Sequence, residues 1–596
     1  MRLKSLKVSN FRAINGDGNV IFFNNNNIIF LFGKNNIGKS SMLHAYKYFA
    51  SPSQKALITD FMDYNEDNKI VIEAVYIKEN SDNENFESKG LNKWVGKNNE
   101  VTFRKTWSEK DKAAKKETFN PDEEINDFVD NGFGGLETIL TNATPVVIFI
   151  EAIPNVKDLN DWLDKQIKSN LLSKIREQYN KEYDDAAKAV KKLLNKIESA
   201  NFLSDISDTA NKYFCETFPT LEMKIASLPY KESDIAKIFE KEFNVTIGPK
   251  IVDKVDDVTV SEVIEQLEFI KEKAEEMELN DSDGYRSFDL QGHALIRQAL
   301  VTLLGLFKNT EDGKKHIILF EEPELYLHPS NKRKFREALY KLANGEDYQI
   351  ICVSHDPQLI DLSKPHTSLA RFIKNQDGTT EIYQTDEDLF VKDTDTKNRV
   401  QMLNRFNPHL CESFFADEVI LVEGDTEAII VRHLLSLHYP EKEIFVLNTG
   451  SKNNIPFFIN VLSNFKIKQH IIHDSDERYL YETDGTPKLK KDKTYKANSA
   501  WSVNKTIWDT MESSKDRNNC SIKRYVSIRN FEDAHNYSHD HEQGKPLSAY
   551  LFAQDLDMKD NGISIVKQIK QIVGDLAYDE EFTPESLERL VQEPSN

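Results

Sequence analysis

Two groups of residues in this sequence have the types and spacing that phosphate chemistry needs. In the first, four residues separate Gly33 from Gly38, and Lys39 and Ser40 follow directly. An apolar run, 28–32, precedes this stretch, and a helix-prone segment follows it. Glycines let the backbone fold around an anion, so that N–H groups and a helix N-terminus point at phosphate. A surface turn could fit this pattern by chance, but the strand before it and the helix after it favour an ATP-binding loop. In that loop Lys39 would reach the β- and γ-phosphates and the Ser40 hydroxyl would hold Mg²⁺.

Acidic residues at the end of a later strand would complete this nucleotide site. The apolar run 317–320 ends in Glu321 and Glu322. Beside the loop, Glu321 would contact Mg²⁺ through water, and Glu322 would orient the attacking water. His355 ends another apolar run and could sense the γ-phosphate; taken alone, it is typical of a capping histidine. The predicted nucleotide-binding residues are Gly33, Asn35, Asn36, Gly38, Lys39, Ser40, Ser41 and Glu321, with Glu322 and His355 as catalytic residues.

The second group consists of carboxylates that follow strands in the last third of the chain. Glu423 ends one apolar strand, Glu427 lies one helical turn on, and Asp474 and Asp476 end the next apolar strand. The C-terminal ends of neighbouring parallel strands lie side by side, so these acids should converge. Singly they could be solvated surface, but together they favour a site for Mg²⁺ or Mn²⁺. Two such ions could activate a water and stabilise the leaving oxygen of a phosphodiester.

Two residues further along the chain extend this second site. Glu532, in the segment 530–533, offers another carboxylate, and Lys545 could neutralise charge developing on a scissile phosphate. Glu423 and Lys545 are the predicted catalytic residues. The predicted metal ligands are Glu423, Glu427, Asp474, Asp476 and Glu532, with Ser40 for the ion that accompanies the nucleotide.

The alternation of strands and helices predicts an α/β protein with parallel sheets. The opening segment, 3–14, alternates apolar and polar residues like an edge strand. From Leu163 to Ile197 apolar residues recur every three or four positions, which predicts helices that either pack on each other or form a dimerisation arm. The predicted domains are an ATPase domain split over 1–159 and 276–395, a helical insertion over 160–275, and a parallel-sheet domain with a C-terminal helical extension over 396–596.

Composition favours a cytoplasmic protein. The 596 residues carry a formal charge of −21, which argues against a basic, non-specific DNA coat but not against a nuclease. The four cysteines are far apart, without a CxxC pair, which argues against a disulfide framework or a zinc module. No apolar stretch approaches a membrane span, so we expect no membrane partner.

The first group of motifs resembles those of ABC-type ATPases of the SMC and RecF group. The resemblance rests on 10–13 before the loop, the block at 321–329, which begins Glu-Glu-Pro-Glu, and the Ser354-His355 pair. The segment 287–293 stands where that group carries its signature motif, without the Ser-Gly-Gly core. In that group one protomer's signature completes its partner's ATP site, which implies a homodimer or a higher oligomer.

The acidic motifs resemble the Toprim domain, and the two halves together resemble the OLD (overcoming lysogenisation defect) family. The architecture is similar to that of the Gabija nuclease subunit and retron-associated OLD-like effectors. The resemblance implies an endonuclease or nickase that cleaves DNA with Mg²⁺ or Mn²⁺ under ATP control. It also implies a role in anti-phage defence, with a partner protein or a retron RNA/DNA as a further component.

Other functions remain open on the residues alone. A non-nucleolytic ATPase of DNA repair, similar to SMC and RecF proteins, would use the same nucleotide motifs. A topoisomerase needs a tyrosine nucleophile on a DNA-binding domain, and no segment has that character. Carboxylates alone do not exclude an RNA substrate, nor do they tell whether ATP activates or inhibits.

Overall fold

The computed structural model describes most of the chain outside one internal region. It describes residues 1–130 except 25, 143–152, 315–385 except 346, 362–363 and 365–367, and 408–591 except 540–541, 543 and 579–581. It also describes 181, 185, 188, 246–247, 286–287, 296 and 301. Most of the predicted helical insertion at 160–275 and most of the segment 287–293 therefore lie outside the described residues.

The chain divides into two compact units, Met1–Ala152 with Lys315–Asn596, and Ile153–Lys314. In the second unit, the described strands are β9 (Thr246–Ile247) and β10 (Arg286–Ser287), which pair antiparallel. The described residues of the first unit form three sheets. No helix among the described residues has both the length and the apolar character that a membrane span requires.

The first sheet is antiparallel, with the strand order β2-β1-β4-β5-β6-β7. Its strands are β1 (Arg2–Ser9), β2 (Asn19–Phe22), β4 (Ile70–Ile77), β5 (Glu100–Trp107), β6 (Lys115–Asn120) and β7 (Asp127–Asp130). The prediction of an edge strand at the N-terminus is wrong, because β1 pairs with both β2 and β4. The sequence analysis missed β2, whose four residues are too few to show a clear alternation.

The second sheet has the order β14-β13-β3-β12-β11-β8, and all its pairs are parallel except β13 with β14. The strands are β3 (Ile28–Phe32), β8 (Val146–Ile150), β11 (His316–Glu321), β12 (Tyr348–Val353), β13 (Leu369–Lys374) and β14 (Thr380–Gln384). All five residues of β3 and all six of β12 are buried, as expected of central parallel strands. Among the described residues of this half, the α-helices are α1 (Lys39–Ala50), α2 (Asn83–Ser88) and α3 (Pro329–Ala343).

The third sheet is fully parallel, in the order β16-β15-β17-β18, which confirms the predicted α/β class for the C-terminal half. Its strands are β15 (Glu418–Val422), β16 (Ile444–Asn448), β17 (Lys468–Asp474) and β18 (Ile522–Ser527). The helices are α4 (Asp425–His438), α5 (Ile455–Asn464), α6 (Ser499–Asn518), α7 (Phe531–His535), α8 (Lys545–Asp555), α9 (Ser564–Val573) and α10 (Pro584–Leu590).

Aromatic side chains join the second and third sheets within the first unit. The ring of Phe32, at the end of β3, lies 6.0, 5.7 and 5.5 Å from the rings of Phe414, Phe415 and Phe465. Arg371 on β13 is buried beside them and donates hydrogen bonds to the carbonyls of Phe465 and Ala416. The residue that ends β3 directly before the glycine-rich loop therefore packs against the C-terminal half.

Candidate functional site

The glycine-rich loop between β3 and α1 has a backbone that only glycine tolerates at two positions. Gly33 has φ +133, and a Cβ there would lie 2.4 Å from the Phe372 carbonyl oxygen. Gly38 has φ +102, and a Cβ there would lie 2.9 Å from the Ile14 side chain. Gly38 also precedes the first residue of α1, so the turn delivers the helix N-terminus to the loop. This shape fits a phosphate group.

Lys39 lies inside the loop rather than in solvent. Its side chain is 4% exposed, and Nζ donates to the carbonyl oxygens of Gly33, at 3.0 Å, and of Lys34. Burial lowers the pKa of Lys39 to about 8, while the charge of Glu322 raises it. The two carbonyl oxygens carry no formal charge, so a bound phosphate would add negative charge beside this buried lysine.

The other predicted loop residues surround this lysine in sequence and differ in exposure. Asn35 and Asn36 are exposed, Ser40 is half-buried at the start of α1, and Ser41 is buried. Asn36 has a positive φ of 60, which asparagine tolerates better than most residues. Asn35 and Asn36 therefore face solvent, whereas Lys39 points into the interior of the loop.

Glu321 and Glu322 follow the strand that lies two places from β3 in the sheet. Glu321 ends β11 half-buried, and Glu322 has a positive φ of 43. The Nε2 atom of His355 lies 3.8 Å from Oε1 of Glu322. Burial and the charge of Lys39 both lower the pKa of His355, which favours its neutral form. The structure thus brings Lys39, Glu322 and His355 together.

Glu324 has a positioning role that the sequence analysis missed. Its carboxylate is buried and accepts hydrogen bonds from the Ser354 hydroxyl and the His355 backbone N–H, both at 2.9 Å. Burial raises the pKa of Glu324, and the hydrogen bonds oppose that rise. Glu324 is visible in the sequence as the last acid of the Glu-Glu-Pro-Glu block. Its position in that block does not indicate that its carboxylate contacts His355.

The second candidate site lies at the C-terminal edge of the third sheet. Glu423 follows β15, and its Oε1 accepts a hydrogen bond of 2.7 Å from the backbone N–H of Asp474 at the end of β17. Burial, with the charges of Asp476 and Glu427, raises the pKa of Glu423 to about 7. Burial and three neighbouring carboxylates raise the pKa of Asp474 to about 8. These acids are close enough to repel one another, and ionising both without a counter-ion is unfavourable.

Glu427 and Glu532 lie next to this pair. Glu427 is 8% exposed in the first turn of α4, and a Cβ on Gly424 would come within 3.3 Å of its Oε2. Burial raises the pKa of Glu427, and the charge of Glu532 on α7 raises it further. Glycine at 424 therefore leaves room for this carboxylate. All five predicted acids, including Asp476, therefore lie at one edge of the third sheet.

Lys452 is a residue of this edge that the sequence analysis missed. It follows β16, is 6% exposed, and its Nζ donates to Oδ2 of Asp476 at 2.6 Å. Its charge lowers the pKa of Glu423, opposing the effect of burial. The available signal was a Thr-Gly-Ser-Lys sequence after a strand, but β16 was not recognised as a strand. Lys545, by contrast, is exposed at the first position of α8, and the described contacts do not join it to these acids.

The donor set fits a divalent cation in its chemistry, although its side chains are not gathered around one point. Oδ1 of Asp474 is buried and has no hydrogen-bond partner. Carboxylate oxygens are the ligands that Mg²⁺ and Mn²⁺ prefer. Among the described residues, however, no three His, Cys, Asp or Glu side chains are close enough to share an ion. Lys452 pairs with Oδ2 of Asp476, which leaves Oδ1 of that carboxylate as the oxygen that could ligate an ion.

We expect Lys452→Gln to destabilise the protein in EDTA by about 1–3 kcal/mol, because it leaves buried carboxylates without their nearest cation. Urea unfolding monitored by circular dichroism measures this change. Lys505→Gln is the matched control, since Lys505 also lies 2.6 Å from an aspartate, Asp509, but both partners are exposed. That exposed pair contributes at most about 1 kcal/mol. Equal effects of the two substitutions would contradict a special role for Lys452.

Comparison with known proteins agrees with this two-part architecture. Residues 1–360 match the model of a family described as "AAA ATPase domain". Residues 414–476 match that of "Overcoming lysogenization defect protein-like, TOPRIM domain". The second match begins just before β15 and ends at Asp476.

Three curated proteins are similar in sequence. The chain is 24% identical to the "Old nuclease" of Escherichia phage P2 over 80% of this chain and 77% of that protein. It is 29% identical to the "OLD nuclease" of Thermus scotoductus, over 30% of this chain and 35% of that protein. It is 23% identical to the "Endonuclease GajA" of Bacillus cereus, over 34% of this chain and 31% of that protein.

Proposed function

The chain belongs to the AAA ATPase domain family and carries an OLD-like TOPRIM domain, and on this premise we propose that it is a metal-dependent DNA endonuclease or nickase regulated by ATP. The observation that carries the proposal is the carboxylate edge, where Glu423, Glu427, Asp474 and Glu532 influence one another's charge. Buried acids of one sign are retained against their mutual repulsion where they serve a cation. The names of the three relatives support a nuclease.

Each residue of the edge has a role that follows from its position. Divalent ions held there would supply an activated water and stabilise the leaving oxygen. The Asp474 N–H would orient Glu423 as a ligand, and Asp474 offers its unpartnered Oδ1. Lys452 pairs with Asp476, and its positive charge would lie beside a scissile phosphate bound at this edge. Lys545, exposed on α8, would contact phosphate from outside the edge.

The nucleotide site has a physical connection to the TOPRIM domain. Lys39 binds the Lys34 carbonyl, and the Lys34 side chain forms ion pairs with Asp417, at 2.8 Å, and with Glu443, at 2.7 Å. Asp417 also accepts a hydrogen bond of 2.7 Å from buried Arg371. A phosphate that draws Lys39 away from the loop carbonyls would alter the backbone that carries Lys34. ATP thereby shifts the population between two arrangements of the domain border.

We expect Asp417→Asn to weaken the response of DNA cleavage to ATP, because it removes the negative charge that Lys34 and Arg371 share. Couplings of this kind change rates or affinities by about 5–150-fold, and the variant should bring the ratio of cleavage rates with and without ATP close to one. ATP hydrolysis and nucleotide-free cleavage should stay near wild type. Asp516→Asn, at an exposed aspartate of α6, is the matched control. An unchanged ATP response in Asp417→Asn would contradict this route.

We extend the proposal to the cellular role by family likeness. The chain would act in anti-phage defence as a cytoplasmic homodimer or higher oligomer, with a partner protein or a retron RNA/DNA. Support for this role is limited to the OLD-family relatives, one of which is named GajA. Co-purification from phage-infected cells, followed by mass measurement of the native complex, tests the assembly.

The test of the proposed activity is cleavage of supercoiled plasmid, linear duplex and RNA with Mg²⁺, with Mn²⁺ or with EDTA, each with and without ATP. The proposal expects nicked or linear DNA only with a divalent metal. Hydrolysis of ATP without cleavage of any DNA under every metal would favour the alternative, a non-nucleolytic ATPase of DNA repair.

A further inference from the structure

A lysine-rich ribbon projects from the chain immediately after the carboxylate edge. This lysine ribbon, defined as residues 479–497, joins β17 to α6. Three short segments pair through the bridges Tyr479–Ala497, Tyr481–Pro487 and Leu489–Tyr495. Its two turns are closed in the same way, since Asp484 accepts from the N–H and hydroxyl of Thr486, and Asp492 from those of Thr494. The ribbon therefore has a defined backbone rather than being an open loop.

The ribbon is basic, although the whole chain is strongly acidic. It contains five lysines and three acids, in a protein of formal charge −21. One lysine, Lys488, faces Glu482 at 3.5 Å. The other four lysines are exposed, and within the part of the chain that the structure describes they form no ion pair. These four are Lys490, Lys491, Lys493 and Lys496.

The base of the lysine ribbon is attached to the carboxylate edge by hydrogen bonds and an ion pair. The backbone N–H of Asp476 donates to the Arg529 carbonyl at 2.8 Å, and the Arg529 side chain pairs with Glu477 at 3.0 Å. Arg478 lies over the rings of Tyr479 and Trp501, at 5.9 and 5.7 Å from their centroids. These contacts tie the ribbon to β18 and to α6. Its lysines therefore have a fixed origin beside the carboxylates.

An acidic nuclease must bring a polyanion to its acids against long-range repulsion. Exposed lysines can each contact one phosphate group as a point charge, and several lysines on one ribbon can contact successive phosphates along a strand. We propose that the lysine ribbon binds the phosphate backbone of duplex DNA and holds the substrate against the carboxylate edge. This proposal rests on the proposed function, and it adds the surface that recruits the substrate.

The test replaces Lys490, Lys491, Lys493 and Lys496 with glutamine. Fluorescence anisotropy of a labelled duplex, in EDTA and across roughly 50–200 mM KCl, measures affinity and its salt dependence. The slope of log K against log salt is negative, and each lost phosphate contact reduces its magnitude by about 0.9. We expect the magnitude of the slope to decrease by about 2–4 and the affinity at low salt to decrease more than about tenfold. The corresponding arginine variant should restore binding, because it restores charge.

The matched control replaces four other exposed lysines with glutamine, namely Lys89, Lys97, Lys110 and Lys559. The control has the same net charge as the ribbon variant, so an equal loss of slope in both would overturn the proposal. So would a ribbon variant that keeps the wild-type slope. A ribbon-dependent preference for single-stranded RNA over duplex DNA would also overturn it and assign the surface to RNA.

Cleavage separates this proposal from the proposed function. If wild type and the ribbon variant cut DNA equally and bind it equally, the ribbon proposal fails and the nuclease stands. If wild type binds DNA through the ribbon but never cuts it with any metal, the ribbon stands and the nuclease fails. Circular dichroism verifies that every variant is folded.

Discussion

Glu423→Gln is expected to lower metal-dependent DNA cleavage by roughly 10³-fold while ATP hydrolysis continues. Glutamine keeps the shape of the side chain and can still accept the Asp474 N–H. It removes the negative charge that Glu423 would offer to a divalent cation. Plasmid cleavage and phosphate release, measured on the same preparation, give the two activities.

The same substitution has an opposite expected effect on stability without metal. The folded-state pKa of Glu423, about 7, lies above the ordinary value for glutamate, so its ionisation disfavours the folded state. This penalty is absent well below the ordinary pKa and is complete above about pH 7. In EDTA at pH 8, Glu423→Gln should therefore melt above wild type, whereas Mn²⁺ should raise the melting temperature of wild type only. Glu441→Gln, at an exposed glutamate, is the control. Full cleavage by Glu423→Gln would contradict the assignment.

The second large effect is expected from Lys39→Met, which should reduce ATP hydrolysis by about 10²-fold or more. Methionine fills a similar volume in the buried loop but cannot donate to the Gly33 and Lys34 carbonyls or to a phosphate. Phosphate release and the binding of a fluorescent ATP analogue measure the loss. Cleavage of DNA without nucleotide should stay within about threefold of wild type, because Lys39 lies in the other site.

Lys47→Met controls for the removal of a lysine from the same helix, since Lys47 is in the last turn of α1. It should leave hydrolysis unchanged. If Lys39→Met retained ATP hydrolysis, the glycine-rich loop would not be the nucleotide site. If it retained the ATP response of cleavage, the regulation would not pass through this loop.

The sequence predicted the family, the α/β fold class and the presence of two phosphate-related sites, because local signals carry them. A strand, a glycine pair and a lysine at fixed spacing determine a loop with little help from distant residues. The OLD-family assignment is confirmed by the matches to the AAA ATPase and TOPRIM models. The placement of individual site residues stays a prediction that the variants above test.

What the sequence did not predict depends on contacts between distant segments. Lys452 reaches Asp476 across 24 positions, and Lys34 reaches Glu443 across 409. Glu324 accepts the His355 backbone N–H from the turn that follows β11. No local pattern distinguishes these charged residues from ordinary surface, and only the assembled parallel sheets bring them together.

The packing of Phe32 against Phe414, Phe415 and Phe465 has a consequence for how the protein unfolds. The end of the nucleotide-binding strand contributes a buried ring to the core of the other domain, and buried Arg371 satisfies the carbonyls around it. Separating the halves would expose these rings and leave a guanidinium without acceptors. The second and third sheets should therefore melt in a single cooperative transition, and exchanging either one for an unrelated domain would require this border to be rebuilt.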